Sequence, residues 1–149
     1  MGLISGRRAA AAETPPVTRD RLVALFEENQ WKYFIDNEGD LGGNWDDDQF
    51  YFLLRGSDSE ILHIQSMWHM TPRIDFLEDV RTFVEQWHRE HLWPKCYHRI
   101  SDEGRIRVFC ENTVDYEKGA SDAQLLHQIR CALGTASGFY DELTTALQL

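Results

Sequence analysis

The chain has 149 residues, 42% of them hydrophobic and 27% charged, with 25 acids against 15 Lys and Arg for a net charge of -10. One domain of that size buries roughly 68–70% of its unfolded surface and needs no metal or disulfide to hold a core. Its average field repels a phosphate backbone and an anionic bilayer, and no apolar run reaches the roughly 18 residues of a membrane span, so neither nucleic acid nor membrane is an expected partner.

Residues 1–17 read MGLISGRRAAAAETPPV. The Arg7-Arg8 pair is followed by alanines and by Glu13, Thr14, Pro15 and Pro16, with no hydrophobic segment of signal-peptide length, so a flexible leader is expected. A single domain then occupies 18–149. Three cysteines, Cys96, Cys110 and Cys131, are an odd count. They point to reduced thiols and a cytoplasmic location.

Thr18 is a candidate N-cap, and Leu22, Leu25 and Phe26 follow at helical spacing, so the first helix is expected over about 18–30. The aromatic and β-branched run at 31–36 reads as a strand. Residues 36–48, DNEGDLGGNWDDD, read as an exposed connection to a second strand at 50–56. There Gly42-Gly43 would permit positive φ, and mutual repulsion would raise the proton affinity of Asp46, Asp47 and Asp48. A third strand is expected at 60–70.

Thr71-Pro72 has the look of an N-cap with proline at the first helical position. Phe76, Leu77, Val80, Phe83, Val84 and Trp87 make a wide apolar stripe on a helix over 73–91, ended before Pro94. Residues 95–101 and 105–115 form a hairpin about Asp102-Glu103-Gly104. Its register puts Cys96, His98, Ile100, Ile106, Val108 and Cys110 on one buried face. Tyr97, Arg99, Arg105, Arg107, Phe109 and Glu111 lie on the other, and a one-residue slip would scramble this division. Ser121 and Gln124 form a capping box for a long C-terminal helix, in which Gly134 and Gly138 invite a kink or close packing. The order α-β-β-β-α-β-β-α implies an α+β fold: a mainly antiparallel five-stranded sheet with three helices.

Little of this looks like catalysis. Cys96, Cys110 and His98 are expected inside, where a thiol stays protonated and cannot serve as a nucleophile. His88 and His91 stand three apart on a helix but lack a fixed cysteine or carboxylate beside them. GxGxxG, GxxxxGK[ST] and GxSxG motifs are absent. The acidic stretch matches an EF-hand at its first three ligand positions, Asp36, Glu38 and Asp40. Leu41 and Asp47 stand where that loop needs glycine and glutamate, and its flanks are strands instead of helices. No bound metal is expected there; the alternative is a cation- or small-ligand-responsive sensor using this loop. Neither a cofactor nor an enzymatic activity is expected. Both faces of the second strand are apolar, Phe50, Phe52 and Leu54 alternating with Tyr51 and Leu53. Either helices cover both faces, or part of the sheet or of helix two is left for a partner chain. The candidate partner surface is Phe76, Phe83, Trp87, Tyr51, Leu53, Tyr97 and Phe109, and the surplus stripe on helix two would serve a homodimer.

Three stretches carry a resemblance: RDRLVALFEENQWKYFIDNEGDLGGNWDDDQFYFLL, EQWHREHLWPKCYHRISDEGRIRVFCENTVDYEKGASDAQLLHQI and the helix after it. The D-x-E-G-D-L loop at 36–41, Trp93-Pro94-Lys95 with Tyr97, and the D-A-Q-L run at 122–125 are its most telling parts. The chain resembles the YbjN-domain proteins of actinobacteria, which are regarded as bacterial sensory transduction regulators. The resemblance covers about residues 18–147. It implies a type III secretion chaperone-like fold and frequent dimerisation, it offers no established catalytic residues to carry over, and the function it supports is a non-enzymatic regulatory or protein-binding module.

Overall fold

The structure, a computed structural model, describes residues 14–149. Helix α1 spans Arg19–Glu28 behind Thr18, whose hydroxyl accepts from the Arg21 N–H. The strands are β1 (Phe34–Ile35), β2 (Leu41–Trp45), β3 (Asp48–Arg55), β4 (Ile61–Met67), β5 (Lys95–Ile100) and β6 (Ile106–Asp115). Helix α2 (Leu77–Glu90) lies between β4 and β5, and α3 (Asp122–Leu147) closes the chain. All strand pairs are antiparallel and the sheet order is β1-β2-β3-β4-β6-β5.

The sheet therefore has six strands, one more than expected. The extra strand, β2, lies inside the stretch read as a connection. Leu41 is fully buried, and Gly42 and Gly43 are extended, not left-handed. A Cβ at Gly42 would sit 2.4 Å from the Phe34 ring, and one at Gly43 would sit 2.6 Å from the Trp45 ring. The glycines thus make room for flanking aromatic rings on opposite faces of the sheet. Left-handed backbone falls instead at Gly39 and on the two-residue turn Asp46-Asp47.

Two other local expectations need correction. Thr71 caps nothing: a short 3-10 turn (Ile74–Phe76) precedes α2, and Pro72 contributes its carbonyl to the Ile106 N–H. Gly134 and Gly138 sit inside an uninterrupted α3, and a Cβ at either would meet nothing within 4 Å, so neither marks a close approach. The Ser121–Gln124 capping box is present.

The core follows from strand alternation. Phe50, Phe52, Leu62, Ile64, Cys96, Ile106, Val108 and Cys110 all belong to one buried cluster with residues of the helices, among them Leu25, Phe26, Trp87, Ile129, Phe139 and Leu143. Their odd-and-even neighbours Tyr51, Gln65, Met67, Tyr97 and Phe109 do not join that cluster. All three helices pack on one face, and the other is uncovered among the described residues. Of the expected leader, residues 1–13 lie outside the described residues. Residues 14–17 pack at the foot of α3: the Pro15 carbonyl accepts from the Ala120 N–H, and Val17 is buried.

Candidate functional site: the uncovered sheet face

The register brings the open-face side chains into rows. Gln49, Met67, Phe109 and Tyr97 form one row across β3, β4, β6 and β5; Tyr51, Gln65, Glu111 and Lys95 form the next. Tyr97 and Phe109 are direct cross-strand partners, stacked with centroids 5.1 Å apart and planes at 16°. Phe34 packs edge-on against Tyr51 at 5.7 Å. Gln49, Tyr51, Gln65, Met67 and Phe109 line a shallow depression at the centre of the face.

A polar cluster stiffens it. The Tyr97 hydroxyl donates to Glu111 Oε1 at 2.8 Å and accepts from Gln65 Nε2 at 3.1 Å. His63 Nε2 lies 3.4 Å from Glu111 Oε1, and Lys95 Nζ lies 3.4 Å from Oε2. Burial alone would raise the Glu111 carboxyl, but the Tyr97 hydrogen bond and the His63 and Lys95 charges outweigh it and hold it below the usual range. The Tyr97 phenol moves up, from desolvation first and the Glu111 contact second.

Charge is unevenly spread over this face. Arg99 and Arg107 are exposed, directly opposite each other on β5 and β6, and have no acidic partner among the described residues. The Arg99 guanidinium stands 6.0 Å over the Phe109 ring. The acidic turn lies at the far end, and Asp36, Asp40 and Glu38 add to the burial that raises the Tyr51 phenol.

The candidates from sequence fall in two places. Tyr51, Leu53, Tyr97 and Phe109 share the open face, with Leu53 only 9% exposed. Phe76, Phe83 and Trp87 lie across the molecule, where Phe83 and Trp87 pack on Phe139 of α3 at 5.4 and 5.2 Å. In the acidic turn, Asp36 Oδ1 accepts from the N–H groups of Glu38 and Asp40, so this carboxylate organises its own turn. Asp48 is not part of an exposed acidic run. It is 2% exposed, and its Oδ1 accepts from the His69 N–H at 2.9 Å and lies 2.8 Å from His69 Nδ1. Its carboxyl is raised by desolvation first, with Asp46 repulsion a small addition, so burial does what repulsion was expected to do.

Cys96 and Cys110 are cross-strand partners with Sγ atoms 3.7 Å apart, both buried and reduced, and burial pushes the Cys110 thiol well up. His88 Nε2 accepts from the Cys96 N–H at 3.0 Å, while His91 stacks on Trp87 at 3.6 Å. The two rings serve different local contacts. Among the described residues no three His, Cys, Asp or Glu side chains converge as a metal site, and no helix is long and apolar enough to cross a membrane. The open-face roles of His63, Gln65 and Glu111 escaped the sequence because they rest on β4–β6 pairing, which no local signal specifies.

An α+β domain with an antiparallel sheet, three helices on one face and an aromatic open face is the class of protein this defines. The chain belongs to the YbjN family, whose model, described as "Putative bacterial sensory transduction regulator", matches residues 18–145. Among solved structures it is similar to YbjN from E. coli, described as "a putative transcription regulator", with a TM-score of 0.74 at 14% identity over 89% of this chain and 95% of that one. It is also similar to an uncharacterized protein from Methanothermobacter thermautotrophicus, with a TM-score of 0.56 at 9% identity, covering 87% and 98%. No curated protein matches.

Proposed function

We propose that the chain is a non-enzymatic, cytoplasmic regulatory domain that works by protein contact through the uncovered sheet face, and that it is a homodimer. The observation carrying this is the face itself: Tyr51, Met67, Tyr97 and Phe109 stand together outside the core cluster, with no helix over them among the described residues. Contiguous aromatic surface rimmed by polar groups is the usual composition of a protein interface. On helix α2 the aromatic seam is largely consumed by α3, which favours the sheet. A one-sided sheet with helices behind it also supports the type III secretion chaperone-like shape, and an actinobacterial origin rests on the quoted motifs alone.

Affinity capture with wild type and a folded Phe109→Asp, Tyr97→Asp variant, followed by reconstitution with the purified partner, tests the reading. A partner retained equally by both proteins ends it. The acidic-turn sensor is less supported, because Asp36 is engaged within its own turn. Saturable calcium or magnesium binding by calorimetry, lost in Asp36→Asn, Asp40→Asn, would restore it.

A further inference from the structure

We infer that the occupant of the open face is the same face of a second copy, related by a two-fold axis over the central depression, so that the Arg99–Arg107 corner of each copy meets the Asp36–Asp40 turn of the other. This rests on the reading of the face as a contact surface and specifies its partner.

Three features of the face carry the inference. First, Arg99 and Arg107 are a direct cross-strand like-charge pair with no acid beside them. Such pairs are unfavourable unless an anionic group is brought to them. Glu111, the acid nearest in the strand, is already shared by Tyr97, His63 and Lys95. The chain as a whole is at -10, so two adjacent exposed arginines run against its average charge, and the nearest exposed acids, Asp102 and Glu103, stand in the hairpin loop beyond Ile100 and Ile106.

Second, the complementary charge is on the same face of the same chain. The turn carrying Asp36, Glu38 and Asp40 joins β1 to β2 beside the open face, where Phe34 of β1 packs on Tyr51 of β3. Glu38 and Asp40 have no ion-pair partner among the described residues, and Arg19 reaches the turn only through the Gly39 carbonyl.

Third, the two charged regions are at diagonal corners. Asp40 precedes Leu41, the partner of Phe52 near the outer edge, while Arg107 pairs with Arg99 at the opposite edge and toward the opposite strand ends. By strand spacing and rise they are separated by roughly 25 Å. Their midpoint falls on β3 and β4 near Tyr51, Gln65 and Met67, which is the depression lined with Phe109. An in-plane two-fold through that point, oblique to the strands, lays each acidic turn on the other copy's arginines and crosses the sheets at close to a right angle. Orthogonal packing of two sheets is a standard arrangement. A two-fold in the plane but perpendicular to the strands would keep like edges together and leave each arginine corner over the opposite strand ends of the same edge, away from the acidic turn. The face spans roughly 600 Å² per copy from strand spacing and length. That is just under the roughly 800 Å² of a standard interface, so the dimer is expected to be reversible and salt-sensitive.

Charge exchange tests this by sedimentation velocity, with circular dichroism confirming that each variant is folded. Variant one is Arg99→Glu, Arg107→Glu; variant two is Glu38→Lys, Asp40→Lys. Each alone should self-associate at least about 100-fold more weakly than wild type, because like charges meet at both corners. Mixed at equal concentration, they should form a heterodimer, since both contacts are then opposite in sign. A monomeric wild type at high concentration overturns the proposal, as does a mixture that remains monomeric. A dimer that survives both variants but is lost in Phe109→Glu overturns the charge-paired two-fold while leaving the face as a contact surface. Loss of neither kind overturns both.

Discussion

Adjacent residues on β6 offer a direct test of which side of the sheet is covered. Val108 is fully buried in the helix-packed cluster, and Phe109 next to it points to the open face. Val108→Ala removes two methyl groups, worth about 1.6 kcal/mol in transfer free energy. The cavity left in the buried cluster adds about 1 kcal/mol. The expected cost is about 2–3 kcal/mol, or roughly 5–10 °C in Tm for a chain of this length. Phe109→Ala deletes a far larger side chain, yet the contacts it loses are the Tyr97 stack and the Arg99 guanidinium. Those are worth about 1–2 kcal/mol together at a half-exposed site. The smaller truncation should therefore cost more. Urea unfolding at low protein concentration, where self-association is negligible, measures both. A Phe109→Ala cost above about 3 kcal/mol under those conditions, typical of a buried phenylalanine, would mean that the monomer itself covers this face and would refute the reasoning.

Thiol labelling of the native protein should show one fast group, the half-exposed Cys131, with Cys96 and Cys110 reacting only through opening of the fold; three equal rates would contradict the hairpin geometry. Asp48→Ala should cost about 1–3 kcal/mol by leaving the His69 N–H without its buried acceptor, while Asp48→Asn should cost less at pH 7 because its Oδ1 still accepts. The Asp48 carboxyl is raised by burial, so its ionised form is unfavourable in the fold and that penalty fades as pH falls through the folded-state value toward 3.8. Asp48→Asn should be less favourable relative to wild type at pH 4 than at pH 7, and an advantage that grows on acidification would exclude this assignment. Glu111 behaves oppositely: its lowered value contributes stability above the usual 4.5 that is lost as pH falls through the folded value. Glu111→Gln should flatten the acid side of the stability profile, and an unchanged slope would remove Glu111 as its source.

How much of this was legible in the sequence depended on the range of the interactions involved. Periodicity located all three helices, because a buried helix face repeats within a few residues and Thr18 and Ser121 mark two starts by local hydrogen bonds. The β5–β6 register was readable for a similar reason: a three-residue loop leaves one pairing that keeps Ile100, Ile106, Val108 and Cys110 together, and the structure has Cys96 opposite Cys110 as that requires. The expected buried face gives out toward the turn, where none of the three helices reaches: His98 is half-buried and Ile100 is 43% exposed. The acidic stretch misled, since Gly42-Gly43 look like turn residues when seen alone. Only the Phe34 and Trp45 rings folded beside them show why glycine is needed in a strand. Asp48 was likewise indistinguishable from Asp46 and Asp47 until His69, 21 residues away, supplied its partner and its burial. The decisive feature for function also belongs to the tertiary structure. Alternation in β3 showed that both faces are apolar, but which face receives the helices is set by the path of α2 from β4 to β5 and by α3 returning over β4 and β6. That choice depends on the packing of the whole chain, and it is what leaves Tyr51, Tyr97 and Phe109 beside an unpaired arginine corner.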